Sequence, residues 1–251
     1  MIRSSVAERI ADIELARLDK KNAFSAEMYA QLAGALAAAD ADAGVRVVLL
    51  HGSSDCFSSG NDVNDFLRRD PVAGSPAMRL FDALPGMKKP VVAAVGGPAI
   101  GIGSTLLLHC DLVYAAPNAR FQLPFVPLGI TPEFGSTYLL PLLAGYQRAA
   151  ELLLLGQPFN AEKAKEVGMV SQIFPEGELL QKAREAAKAL AALPPESIRL
   201  TKQLMKKRYG PLLAEVIREE TGIFTERLSS AEAKEAMSAF LEKRKPDFSR
   251  F

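Results

Sequence analysis

A chain of 251 residues and 27.0 kDa has room for one large domain, or a domain with an appendage, rather than two full domains. Lys and Arg total 30 against 29 Asp and Glu, a net charge of +1, which lacks the basic excess of a nucleic-acid or acidic-membrane binder. Cys56 and Cys110 stand alone and only two His are present, so neither a disulfide framework nor a zinc site is expected, and the lone thiols suit a reducing, cytoplasmic compartment.

The first residues carry Arg3, Glu8 and Arg9 and no continuous apolar core, unlike a secretory signal, and no apolar run reaches the ~18 residues of a membrane span. Residues 8–17 alternate as a strand does, with Ile10, Ile13 and Leu15 among charged neighbours. A polar turn comes next at 18–25, where Ser25 is placed to cap a helix running through Met28, Leu32 and Leu36. Three nearly unbroken apolar runs, 45–50, 90–95 and 111–115, read as strands buried on both faces. Helical stretches between them predict βαβ units and an α/β fold. Beyond residue 145 only 169–174 reads as a strand. Helices are predicted over 149–155, 178–193, 197–208, 212–228 and 231–243, with Pro194-Pro195 and Gly210-Pro211 as breakers. The expected organisation is an α/β core over 1–190 and a helical region over 191–251.

Several site signatures are missing: there is no Walker phosphate loop and no nucleophile elbow. The segment 101–106 begins like a dinucleotide fingerprint but ends in Leu106, with no acid about 20 positions on. His51 at a strand end and His109 in an apolar helix read as structural, hydrogen-bonded residues. Two glycine-containing turns carry more. Cys56-Phe-Ser-Ser-Gly60-Asn61-Asp62 comes after the strand ending at Leu50, and Gly96-Gly97-Pro98-Ala-Ile-Gly101-Ile102-Gly103 after the strand ending at Val95. Loops leaving the carboxyl ends of adjacent parallel strands form ligand sites, and glycine lets backbone N–H groups converge on one oxyanion. The alternative is two ordinary tight turns. Glu133, between Pro132 and Phe134 in an apolar stretch, fits a general base with a raised pKa; alternatively Thr131 caps a helix that Pro132 opens, and Glu133 favours its dipole.

Together these residues resemble the crotonase (enoyl-CoA hydratase/isomerase) superfamily over nearly the whole chain. Leu18-Asp-Lys-Lys-Asn22-Ala23-Phe24-Ser25 is similar to the family's early turn. Phe57 to Asp62 and Gly97 to Gly103 resemble its two oxyanion loops, and 236–245 its carboxyl-terminal end. The resemblance implies a crotonase-like spiral of ββα units with a helical carboxyl-terminal trimerisation region, and a homotrimer or dimer of trimers. It also implies that the N–H groups of Asn61 and Ile102 polarise an acyl-CoA thioester carbonyl. No separate cofactor is implied, since coenzyme A enters as part of the substrate. By the same resemblance Lys20, Lys21, Ala23, Ser59, Gly60, Asp62, Val63, Asn64 and Gly101 line the CoA groove and Lys243, or Lys245, reaches its phosphates.

Departures from the pattern narrow the implied reaction. Hydratases of the family carry two glutamates; here the corresponding positions hold Thr105 and Phe125, and only Glu133 remains. That single-carboxylate pattern resembles the Δ3,Δ2-enoyl-CoA isomerases, some of which read SPEG where this chain has Thr131-Pro-Glu-Phe134. Alternatives within the resemblance are a hydratase-like or other thioester reaction, or a catalytically silent acyl-CoA or RNA binder. The basic run Arg199, Lys202, Lys206, Lys207 and Arg208 reads first as a solvated helix face.

Overall fold

The computed structural model describes residues 1–62 and 75–251. Its larger sheet has six strands in the order β1-β2-β3-β4-β6-β9. These are β1 (Ile2–Ala7), β2 (Ile10–Leu15), β3 (Val47–His51), β4 (Val91–Val95), β6 (Leu112–Ala115) and β9 (Gln172–Ile173). All neighbours are parallel except β1 and β2, which form a hairpin pairing Ile2 with Leu15 and Ala7 with Ile10. The sequence reading missed β1. Its turn is made by Glu8 and Arg9, both at positive φ (50° and 65°), without the Asn-Gly signal that usually marks such a turn.

A second sheet has three strands, β5 (Pro98–Ile100), β7 (Arg120–Gln122) and β8 (Phe159–Asn160). The stretch read as one glycine turn after β4 is thus a turn at Gly96 and Gly97 and then a short strand. Pro98 fits because the first residue of a strand need not donate an N–H to the ladder. The chain alternates between the sheets, β4 then β5 then helix, β6 then β7 then helices, which is the expected ββα repeat.

Ser25 caps α1 (Ala26–Ala41) as expected, its Oγ accepting the Met28 N–H at 3.2 Å. Strands β3 and β4 are buried at every position. One face looks onto the main core with α1 and α2 (Met78–Gly86); the other is covered by α7 (Glu176–Ala192). Leu179, Ala183, Ala187 and Ala191 recur every four residues on α7, and the alanines let it lie close to Ile10, Val47, Leu49 and Val92. Pro195 and Pro211 open α8 (Pro195–Lys206) and α9 (Gly210–Leu228) rather than merely separating them. Leu213, Ile217 and Phe224 of α9 belong to the main core, and so does Ala233 of α10 (Ala231–Leu241); the carboxyl-terminal helices share the core of the sheet domain. Among the described residues no helix is long and apolar enough to cross a membrane.

His51 is structural, as read. Its Nδ1 faces the Gly52 carbonyl at 2.9 Å and its Nε2 the Asp12 Oδ1 at 3.0 Å, while Arg184 holds Asp12 Oδ2 at 2.6 Å. Burial pulls the imidazole pKa down, but the Asp12 and Gly52 bonds outweigh it and raise it above 6.5; the His51 bond holds Asp12 below its usual value. The folded chain therefore binds the His51 proton more tightly than the unfolded chain, so this stability is complete below the unfolded His value and fades as pH climbs through the raised one. Asp12 adds the opposite limit, fading as pH falls through its lowered value. Thermal denaturation of Asp12→Asn should show its largest deficit against the native chain near about pH 6 and a clearly smaller one near about pH 9.

Candidate active site

The two loops meet. Ser58 N–H donates to the Pro98 carbonyl at 2.9 Å and Ile100 N–H to the Ser58 carbonyl at 2.9 Å, a parallel bridge between the first loop and β5. On its other side the first loop pairs with the early turn: Phe24 N–H donates to Gly60 O at 2.7 Å and Asp62 N–H to Phe24 O at 3.0 Å. Glycine is required where the loops touch. A Cβ on Gly97, at φ +63°, would stand 2.0 Å from the Asp55 carbonyl oxygen; one on Gly96 would stand 2.4 Å from that of Ser54.

Because the bonds on either side of Asn61 point to Phe24, its own N–H points the other way. Ile102 is the first residue of α3 (Ile102–Thr105), so its N–H has no helical partner. Among the described residues neither N–H has an acceptor. Gly101, at φ 54° and ψ −118°, makes the bend that aims the Ile102 amide, a conformation open to glycine alone. The residues after Asp62, Val63 and Asn64 among them, lie outside the described residues.

Glu133 is 4 % exposed and lines a cavity of about 10 Å³ with Tyr29, Asn61, Ser75, Ala77, Phe81, Thr221 and Phe224. It is the one carboxylate among the described residues lining that space. Thr105 Oγ1, one turn on from Ile102, donates to Glu133 Oε1 at 2.7 Å. The helix-start reading fails here: α4 (Ser136–Ala144) begins past Glu133, Thr131 caps nothing, and among the described residues its buried Oγ1 has no hydrogen-bond partner. The backbone turns instead at Phe134, whose φ of +59° is unusual for a bulky residue. The strain is offset by its ring, which stacks between Phe81, 4.1 Å away, and His109, 4.0 Å away. His109 Nε2 also bonds the Phe134 carbonyl at 2.8 Å, and burial lowers its pKa to about 3, so the ring stays neutral.

Residues that the sequence did not reveal hold this arrangement. Asn22, fully buried and at φ +54°, donates to the carbonyls of Cys56 and Phe57 and accepts the Arg17 N–H. Glu220 of α9 accepts from Gly135 N–H at 2.5 Å, Thr137 N–H at 2.9 Å and Thr137 Oγ1 at 2.5 Å, fixing the start of α4 just after Glu133 (α4 is Ser136–Ala144). Burial raises its pKa against those bonds. Positive-φ Asn and a long-range carboxylate leave no local pattern to read.

The remaining residues sit as follows. Lys20 and Lys21 are exposed beside buried Ala23, and Ser59 and Gly60 lie on the first loop. Asp62 is buried and ion-paired with Arg17 at 2.8 Å. Lys243 is exposed past the end of α10, a helix that packs on the 126–129 turn through Gly129. Among the described residues there is no cluster of metal-ligating side chains.

Two sheets in ββα alternation carry two bonded glycine loops, and Asn61 of the first loop lines one cavity with the buried Glu133. Residues 5–250 match the sequence profile of the enoyl-CoA hydratase/isomerase family. The chain belongs to that family, the crotonase superfamily. It is 33% identical to the 2,3-dehydroadipyl-CoA hydratase of Escherichia coli K12, over 96% of this chain and 95% of that one. It is 35% identical to human enoyl-CoA delta isomerase 2, over 94% of this chain and 61% of that one. The crystal structure of an enoyl-CoA hydratase/isomerase from Pseudoalteromonas atlantica T6c superposes with a TM-score of 0.94 at 38% identity, covering 98% of this chain and 99% of that one.

Proposed function

We propose that the chain is a Δ3,Δ2-enoyl-CoA isomerase. The thioester oxygen sits between the N–H groups of Asn61 and Ile102. Glu133 removes a proton from C2, the negative charge spreads as a dienolate onto that oxygen, and the same acid returns the proton to C4. Each oxyanion donor is worth ~3–4 kcal/mol of barrier, enough for the pair to make this abstraction feasible. The observation that carries the reading is that Glu133 is the one carboxylate among the described residues lining the cavity. The position at Thr105 holds a hydroxyl that bonds Glu133 where hydratases of the family have an acid, and Phe125 is buried in the core. A water would find one acid in the described lining where hydration needs two.

In this reading the turn at 20–23, Ser59, Gly60, Asp62 and Gly101 line the CoA groove, Asp62 through its pairing with Arg17, and Lys243 reaches the phosphates. Exposed Leu142, Leu143, Leu154, Leu204, Met205 and Leu212 support a trimer or dimer of trimers, expected as the mass in sedimentation equilibrium. Unpaired Cys56 and Cys110 support a cytoplasmic setting.

The deciding assay compares 3-enoyl-CoA with 2-enoyl-CoA. Isomerisation at least about a hundredfold faster than hydration supports the proposal; the reverse ratio replaces it with the hydratase-like reading that the Escherichia coli relative's name suggests. Asn61 acts through its backbone, its side chain accepting from Tyr29 Oη at 2.8 Å. Asn61→Ala should therefore keep kcat within about tenfold of the native value in the same assay.

A further inference from the structure

The basic run is a solvated face only in part: Lys207 and Arg208 are exposed, but Lys202 and Lys206 are not. Lys202 is only 4 % exposed, bonded to Asp111 Oδ2 at 2.6 Å and to the Lys89 carbonyl at 2.8 Å. With Lys206 and Lys207 it walls a cleft of about 360 Å³, closed on the α2 side by Pro85, Met87 and Lys88. Every charged side chain lining this cleft is a cation. Asp111 compensates Lys202, and Glu196 takes the guanidinium of Arg199, the remaining cation of the wall. Among the described residues no carboxylate lies within ion-pair distance of Lys88, Lys206 or Lys207. Lys206 is partly buried with only the Pro85 carbonyl, at 3.2 Å, to receive it.

We infer that this cleft binds a small phosphorylated anion at a site separate from the acyl-CoA site. Lysines suit a phosphoryl group as point charges, and the apolar wall of Pro85, Met87 and Pro211 accommodates the group that carries it. Lys88 and Lys89 lie before the amino end of β4, whereas the oxyanion loop leaves its carboxyl end. Five residues of strand put the two sites ~16 Å or more apart. Burial first, and then Lys202, lower the Lys206 pKa to about 8, opposed by Asp111 and Cys110. Neutral His109 lies close enough to feel its charge, and Lys88, Arg199 and Lys207 line the same cleft. A bound dianion would draw a proton onto Lys206, so binding near pH 8 should take up protons.

The test titrates inorganic phosphate, mostly a dianion near pH 8, into the intact protein by calorimetry at that pH, with and without saturating CoA, in two buffers of different ionisation heat. The cleft predicts saturable one-to-one binding that survives CoA, with proton uptake. Lys206→Met should weaken it at least about tenfold and abolish the uptake. Lys88→Glu, at the exposed lip, should weaken it comparably, so the test holds even if the Lys206 variant folds poorly. Binding abolished by CoA, affinity unchanged in both variants, or no saturable binding at all would overturn the inference.

Discussion

Glu133→Gln is expected to lower kcat by about three orders of magnitude, within the range that a positioned acid–base group contributes. The substitution keeps the side chain's volume and an oxygen to accept from Thr105 Oγ1, so the chain should fold and bind CoA thioesters nearly as before. What it removes is the group that takes a proton from C2, and the described lining of the cavity offers no second acid to replace it. Steady-state kinetics with 3-enoyl-CoA, paired with CoA-ester affinity, checks both halves. Retained kcat would deny Glu133 its role, and lost affinity would show that it serves binding.

The other large effect falls on folding. Gly97→Ala forces a methyl to 2.0 Å from the Asp55 oxygen and 2.3 Å from its carbonyl carbon, at a φ of +63°. Both atoms are backbone, so relief requires the two loops to separate, and the loss should exceed about 3 kcal/mol, much of a typical domain's stability. Gly101→Ala is the informative contrast. Its Cβ meets nothing within 4 Å, so the cost is backbone strain of ~1–3 kcal/mol, relieved by turning the Ile102 amide away. Denaturant unfolding should rank Gly97→Ala far below Gly101→Ala, while the kcat of Gly101→Ala falls although its fold persists.

Much of this was legible because it is local. The apolar runs 45–50, 90–95 and 111–115 read as buried parallel strands, and such strands leave their loops at one sheet edge. Glycines at 60 and 97 then marked where backbone must approach backbone, and Gly101 where it must bend. What stayed hidden is pairwise and distant. Thr105 meets Glu133 across 28 positions, Glu220 reaches Gly135 across 85, and Asn22 reaches Phe57 across 35. The alternative helix start at Thr131-Pro132-Glu133 satisfies every local rule, yet α4 begins at Ser136. The stack of Phe81, Phe134 and His109 imposes a left-handed turn there instead. Lys202 was misread for a similar reason: its counterion, Asp111, lies 91 positions away.

A 3-enoyl-CoA carrying deuterium at C2 follows the proton itself. With Glu133 serving both carbons, part of the label should appear at C4 of the 2-enoyl product, and Glu133→Gln should abolish the transfer. Product formed with all of the label lost to solvent, at a rate indifferent to Glu133, would contradict a single carboxylate carrying the proton from C2 to C4.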